Sequence, residues 1–298
     1  MNAKTVFHKM SVPRMKIARC WEGLHHWSRL WMVLLPTLWL VPRTQAAPAS
    51  VRGSGPSRPW CSGHGRYFAI RVIDRATGRG IPLVCLQTDN AIRFYTDSNG
   101  IVAFYEPGLM HRHVFFTIKS PGYRYPQDGF GFRGIALRIH PGGHVTLRMR
   151  RVEIARRLYR ITGEGIYRDS LLVGATVPIR YPVLNGSVFG SDGAMSVVFM
   201  GKIYWFWGDT AEPQYPLGNF AVTGATSRLP GKGGLNPRAG INLHYFLDRH
   251  GRPAPMTAIP GPGPTWIAAP TVLPDQHGRS ALYATFMKIG RHFYAYRR

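Results

Sequence analysis

The chain has 298 residues, of which 45% are hydrophobic, so it can bury a sizeable core, and a disordered chain is excluded. Its 38 Lys and Arg residues against 14 Asp and Glu residues give a formal net charge of +24. Residues 1–46 hold seven basic residues and one acidic residue, so most of this charge lies in the rest of the chain. Because Arg binds carboxylate, sulfate or phosphate groups bidentately, the composition leaves open an acidic partner or a general adaptation without one.

A basic N-terminal region precedes an apolar segment, residues 30–41, which is followed by Thr44-Gln45-Ala46. These are the three parts of a secretory signal, and we predict a signal peptide over residues 1–46. An uncleaved anchor is the alternative. The apolar segment is shorter than the roughly 20 residues that cross a bilayer, so no stable membrane span is expected. The protein is therefore expected to be secreted or to lie in the periplasm or cell envelope.

Residues 47–65 are rich in Gly, Ser and Pro without periodicity, which predicts a flexible linker. Cys61 and Cys85 are the cysteines that follow the predicted signal peptide. In an exported chain they form either one disulfide or two inert thiols. Two thiols without further ligands nearby do not make a zinc site, so neither a metal nor a cofactor is expected.

Short alternating apolar segments bounded by turn residues fill residues 66–152. This pattern predicts a small antiparallel β-sandwich. The expected strands cover residues 68–73, 83–88, 92–96, 101–105, 114–118 and 145–149.

Three motifs in this region occur in the order and spacing of a known module. They are Thr77-Gly78-Arg79-Gly80-Ile81-Pro82, Thr96-Asp97-Ser98-Asn99-Gly100 and Pro121-Gly122-Tyr123. On these residues the segment resembles the transthyretin-like or carboxypeptidase regulatory-like sandwich. The resemblance implies a module that braces a neighbouring domain and carries no catalytic residue.

Six Arg residues and one Glu lie in residues 148–160, between the two predicted domains. This segment is either a strip that binds a polyanion or a solvated connector. No nucleic-acid recognition motif accompanies the charge, so nucleic acid is not expected as a partner.

Residues 153–298 again show short apolar segments and no long helical period. Strands are expected at residues 195–200, 203–207, 221–227, 241–247, 266–273 and 282–288. The pattern consists of four strands, a long connecting segment and two more strands. It predicts partial β-propeller blades, so the expected fold class is all-β.

The segment Tyr204-Trp205-Phe206-Trp207-Gly208-Asp209-Thr210 is the most specific motif of this region, and Asp192-Gly193 opens the strand before it. Gly218-Asn219-Phe220, Gly224-Ala225-Thr226-Ser227 and Gly263-Pro264-Thr265-Trp266 accompany them. Over roughly residues 158–290 the sequence resembles the five-bladed propellers of secreted arabinanase- and fructosidase-type glycosidases, and more closely an uncharacterised bacterial branch of that superfamily.

Asp192 and Asp209 are the candidate catalytic residues, because a hairpin brings the two ends of this motif to one end of the sheet. The resemblance gives Asp192 the role of nucleophile or base, and Asp209 that of acid or charge stabiliser. Trp205, Trp207 and Trp266 are candidate sugar-stacking residues. Each residue also has a structural interpretation: a turn for either Asp, and a packed core for Trp205 and Trp207.

The resemblance predicts a glycoside hydrolase whose partner is a polysaccharide, neutral or acidic. One alternative is a non-catalytic cell-wall or matrix protein that binds acidic glycans. The other is an inactive truncated product, because five blades of about 40–50 residues need more than the 107 residues from Asp192 onward. The substrate, the oligomeric state and bound calcium stay open.

Overall fold

The computed structural model describes residues 65–257, 259–290 and 295–296. They belong to one compact unit, Pro56–Arg298, and form an all-β fold with one short helix. The predicted signal peptide, residues 1–46, and nearly all of the predicted linker, residues 47–65, lie outside the described residues. So does Cys61, and Cys85 forms no disulfide with a described residue. No helix in the described part is long and apolar enough to cross a membrane.

Eight strands between residues 68 and 151 form two four-stranded sheets. The sheet with the order β4-β1-β8-β6 contains β1 (Phe68–Asp74), β4 (Ile101–Phe104), β6 (Tyr123–Arg124) and β8 (His144–Arg151). The sheet with the order β3-β2-β5-β7 contains β2 (Cys85–Thr88), β3 (Arg93–Tyr95), β5 (His113–Lys119) and β7 (Gly134–Arg138). The alternating apolar residues of both sheets share one core that includes Ile70, Leu86, Phe116 and Met149.

One strand pair departs from the predicted antiparallel arrangement. β1 pairs antiparallel with β4 but parallel with β8, with Ile70 opposite Val145 and Asp74 opposite Met149. A tight hairpin forces its strands to be antiparallel, whereas a long connection leaves the direction free. Between β1 and β8 the chain runs through strands of both sheets, so no tight hairpin links the two strands and they can pair in parallel. The expectation of a purely antiparallel sheet is therefore wrong at this pair.

The described residues that follow β8 form three open sheets and the helix α1 (Arg168–Leu172). The first sheet, in the order β10-β11-β14-β15, contains β10 (Ala194–Phe199), β11 (Lys202–Trp207), β14 (Thr223–Arg228) and β15 (His244–Tyr245). The second, in the order β13-β12-β9, contains β9 (Gly190–Ser191), β12 (Thr210–Glu212) and β13 (Tyr215–Asn219). The third, in the order β16-β17-β18, contains β16 (Thr265–Pro274), β17 (Ser280–Ile289) and β18 (Ala295–Tyr296).

The hairpin predicted from the aromatic motif is confirmed. β10 and β11 pair antiparallel from Ala194 opposite Trp207 to Phe199 opposite Lys202. Met200 and Gly201 connect them, with φ angles of 46° and 74°. Two consecutive positive φ angles are typical of the tight turns that join twisted strands, and glycine at the second position favours this geometry.

Arginines of the connecting segment bind the protein itself. Arg157 donates hydrogen bonds to the carbonyl oxygens of Pro82 and Pro121, at 2.8 and 2.7 Å. The Arg151 guanidinium lies 3.6 Å from the carboxylate of Asp74. Part of the predicted connector is thus fixed onto the first two sheets by its charged side chains.

Candidate functional site

The hairpin places Asp192 and Asp209 next to each other in the backbone. The amide of Asp192 donates to the carbonyl oxygen of Asp209 at 2.9 Å, and the amide of Gly208 donates to the carbonyl oxygen of Asp192 at 2.8 Å. These bonds extend the register in which Ala194 faces Trp207. The proximity of the two acids therefore follows from strand pairing, as the sequence predicts.

Both aspartates line one cavity of about 330 Å³ together with Trp266. Gly193 and Ile267 also contribute to its wall. Trp266 and Ile267 come from β16, a strand of a different sheet that lies beside β10. The structure thus brings three of the five sequence-predicted site residues together at one opening.

The two carboxyl groups differ in their surroundings. Burial, together with the negative charge of Asp192, raises the pKa of Asp209 above its usual value. The Oδ1 atom of Asp209 is shielded from solvent and accepts no hydrogen bond from the described residues. Asp192 is exposed, and its Oδ1 accepts a hydrogen bond from the amide of Gly193 at 2.8 Å. The two carboxyl groups therefore lie in different environments, since one has a shielded oxygen and the other is exposed and bonded to a backbone amide.

The Trp266 ring is held in position at the cavity wall. Its indole nitrogen donates to the carbonyl oxygen of Phe220 at 3.4 Å. The Phe220 ring meets it nearly edge-on, with centroids 5.5 Å apart. A fixed, half-buried indole offers an apolar face to a ligand at little cost in conformational entropy.

Trp205 and Trp207 do not line the cavity of the two acids. Trp207 is 2% exposed and packs with Ala225 and Leu243, so its ring is inaccessible to a ligand. The Trp205 ring stacks on Trp207 with centroids 6.4 Å apart, and its indole nitrogen donates to Ser227 Oγ at 2.9 Å. The packed-core interpretation therefore describes Trp207.

Trp205 lines a second cavity, of about 390 Å³, which the sequence did not predict. Arg180, Arg228 and His244 also line it, without any acidic residue. The Pro- and Gly-rich segment that includes Pro230 and Gly234 forms part of its wall. This segment is the sequence feature that could have indicated the second cavity, since binding residues are often found on ordered loops.

The described residues contain no group of three or more His, Cys, Asp or Glu residues placed to hold a metal ion. No family model matches the chain, and no curated protein matches it.

Proposed function

We propose that the protein is an exported carbohydrate-active protein that cleaves glycosidic bonds with Asp192 and Asp209. The observation that carries the proposal is the shared cavity of the two carboxyl groups and Trp266. Glycoside cleavage uses two carboxyl groups of different protonation, and aromatic rings bind the apolar faces of sugars. The raised pKa of Asp209 supports its assignment as the acid.

In this mechanism Asp209 donates its proton to the glycosidic oxygen as the bond to the anomeric carbon breaks. Asp192 either attacks that carbon or removes a proton from the water that attacks it. Where Asp192 attacks, water then hydrolyses the glycosyl-enzyme bond and gives one proton back to Asp209. Where Asp192 acts as the base, it later releases the water's proton to solvent, and Asp209 takes up a proton from solvent. In both cases the other proton of the water stays on the new hydroxyl group of the sugar. Separations of about 5–5.5 Å between the carboxyl groups go with retention, and about 6.5–9.5 Å with inversion.

The proposal includes a finer account of the fold. Residues 66–152 form a β-sandwich that braces the neighbouring domain, and residues 153–298 form blades of a β-propeller. Two four-stranded sheets with a common core support the first assignment. Four antiparallel strands in the order β10-β11-β14-β15 support the second.

The test is release of reducing ends from a panel of neutral and acidic polysaccharides, including arabinan and fructan. Asp192→Asn and Asp209→Asn are each expected to lower turnover by about 10²- to 10⁴-fold, as loss of a general acid or base does. Asp89→Asn is the matched control, because Asp89 is exposed and does not line the cavity. Trp266→Ala is expected to raise KM more than it lowers kcat.

Unchanged turnover in either cavity variant would contradict the catalytic assignment. Binding of glycans without turnover on any of them would replace it with the non-catalytic alternative, a wall or matrix protein that holds acidic glycans.

A further inference from the structure

A cavity of about 200 Å³ on the β4-β1-β8-β6 sheet is lined by five arginines and by no acidic residue. We call this site the arginine basin. Tyr125 and Pro126 complete its wall. Its arginines are Arg75, Arg124, Arg133, Arg148 and Arg150.

Strand register brings these charges together. Arg124 on β6 lies directly opposite Arg150 on β8. Arg75 follows the last residue of β1, and its amide donates to the carbonyl oxygen of Met149 at 2.8 Å. Arg148 shares the outer side of β8 with Arg150, because Met149 between them is buried in the core. The sheet therefore presents a row of guanidinium groups to solvent.

Four of these side chains have no partner within the described part of the chain. Arg75, Arg124, Arg148 and Arg150 make no side-chain hydrogen bond or ion pair with a described residue. Asp74, the acid next to Arg75, faces Arg151 instead and accepts a hydrogen bond from the amide of Ala76.

The fifth arginine is held in place without being neutralised. Arg133 donates to the carbonyl oxygen of Tyr125 at 2.9 Å and to Gln127 Oε1 at 2.7 Å. Both acceptors are neutral groups, so the positive charge remains. Like charges directly opposite each other on paired strands repel, and here no acid in the cavity offsets the repulsion. An anionic ligand would do so.

We propose that the arginine basin binds a tetrahedral oxyanion carried as a sulfate or phosphate ester on a polysaccharide. The planar guanidinium fork forms two parallel hydrogen bonds with such groups. Five guanidinium groups around one small cavity supply more hydrogen-bond donors than the two oxygens of a carboxylate can accept. The chemistry of the wall therefore favours an oxyanion with three free oxygens over a uronic acid.

The surroundings of the basin favour a sugar chain as the carrier. The segment that supplies Pro126 and Arg133 also carries Phe130 and Phe132, which are 92% and 59% exposed. Exposed aromatic rings on a segment that also lines an anion site suit sugar rings next to an ester group. This binding site is separate from the Asp192 and Asp209 cavity, so it does not depend on the proposed cleavage.

The test measures binding of the purified full chain to dextran sulfate by isothermal titration calorimetry at near-physiological salt. Unsulfated dextran, polygalacturonate, inorganic sulfate and single-stranded DNA serve as comparison probes. Arg148→Gln combined with Arg150→Gln is expected to weaken dextran sulfate binding about 10-fold or more, because hydrogen bonds to charged groups are strong.

The matched control is Arg112→Gln combined with Arg138→Gln. Both residues are exposed, and Arg138 lies at the opposite end of β7 from Arg133. This variant loses the same charge outside the basin, so its affinity is expected to stay within about 3-fold of the wild type. Arg75→Gln combined with Arg124→Gln is a second basin variant, expected to behave as the first. Circular dichroism checks the fold of each variant.

Equal weakening by the basin and control variants would overturn the proposal, because general electrostatic attraction would then explain binding. Polygalacturonate binding as tightly as dextran sulfate would overturn the assignment of the oxyanion. If inorganic sulfate binds as tightly as dextran sulfate, or if DNA binds more tightly than dextran sulfate, the proposal that the oxyanion is carried on a polysaccharide would be overturned. Binding is read without turnover, so a failure of the proposed cleavage leaves these outcomes unaffected.

Discussion

Replacing Asp97 is expected to loosen the contact between the first two sheets and helix α1. The Asp97 side chain is 3% exposed. Its Oδ2 accepts hydrogen bonds from the amide and the hydroxyl of Ser170, at 2.7 and 2.6 Å. Its Oδ1 accepts from the amides of Asn99 and Ile101, at 2.9 and 3.1 Å. One carboxylate thus fixes its own turn and joins it to the start of the following part of the chain.

Asp97→Ala leaves the amides of Ser170 and Ile101 and the Ser170 hydroxyl without their acceptor in a buried environment. At about 1–3 kcal/mol for each of these three unsatisfied buried groups, the expected loss in the free energy of unfolding is about 3–9 kcal/mol. Asp97→Asn keeps one acceptor oxygen but turns an amide donor towards Ser170, so a smaller loss of about 1–3 kcal/mol is expected. Urea denaturation followed by tryptophan fluorescence measures both values.

Asp89→Ala is the control, because Asp89 is an exposed aspartate in the same two-sheet region. Its free energy of unfolding is expected to stay within about 0.5 kcal/mol of the wild type. A loss in Asp97→Ala no larger than that of Asp89→Ala would refute the argument that these four hydrogen bonds stabilise the fold.

Four further results are expected. In Asp192→Asn the pKa of Asp209, followed by carboxyl NMR, falls because one of the two causes of its elevation is removed; an unchanged value would contradict the coupling. In the wild type, turnover decreases as the pH rises through that elevated pKa, because the acid loses its proton, and a profile without this basic limb would contradict the assignment. Trp207→Ala lowers the free energy of unfolding by about 3–5 kcal/mol, more than Trp205→Ala does, since only Trp207 is fully buried; thermal or urea unfolding compares them. Gly80→Ala lowers the free energy of unfolding by about 2 kcal/mol or more, because its Cβ would lie 1.8 Å from the carbonyl oxygen of Asn99. A variant that unfolds at the same urea concentration as the wild type would contradict this close approach.

Alternation of apolar residues was sufficient to predict most longer strands. The predicted segment 68–73 is observed as Phe68–Asp74, and the predicted segment 203–207 as Lys202–Trp207. In both strands the side chains that point inward are large and apolar, so the local pattern and the tertiary packing agree. The turn motifs on which the sandwich resemblance rests also have a structural role. Gly80 and Gly100, from two of these motifs, lie in close backbone contact that leaves no room for a side chain.

Short strands and long-range pairings could not be predicted. β6 and β9 have two residues each, too few to show any alternation. The parallel pairing of β1 and β8 depends on how all the strands between them are arranged. The local alternation of apolar residues does not contain this information. For the same reason the sequence located the Arg-rich segment but missed the basin, which also needs Arg75, just after β1, and Arg124 on β6.

The candidate acid pair illustrates what a hairpin can and cannot specify. Antiparallel register places Asp192 and Asp209 at the same end of the sheet whatever their side chains do, so their proximity alone is no argument for catalysis. The two acids differ in their hydrogen bonds, and this difference is informative. The carboxylate of an aspartate in a turn normally accepts hydrogen bonds from nearby backbone amides, as that of Asp192 does from Gly193. No described residue donates a hydrogen bond to the shielded Oδ1 of Asp209, which costs stability. A ligand group that shares or receives a proton at that oxygen supplies the missing partner, which is what the proposed acid requires.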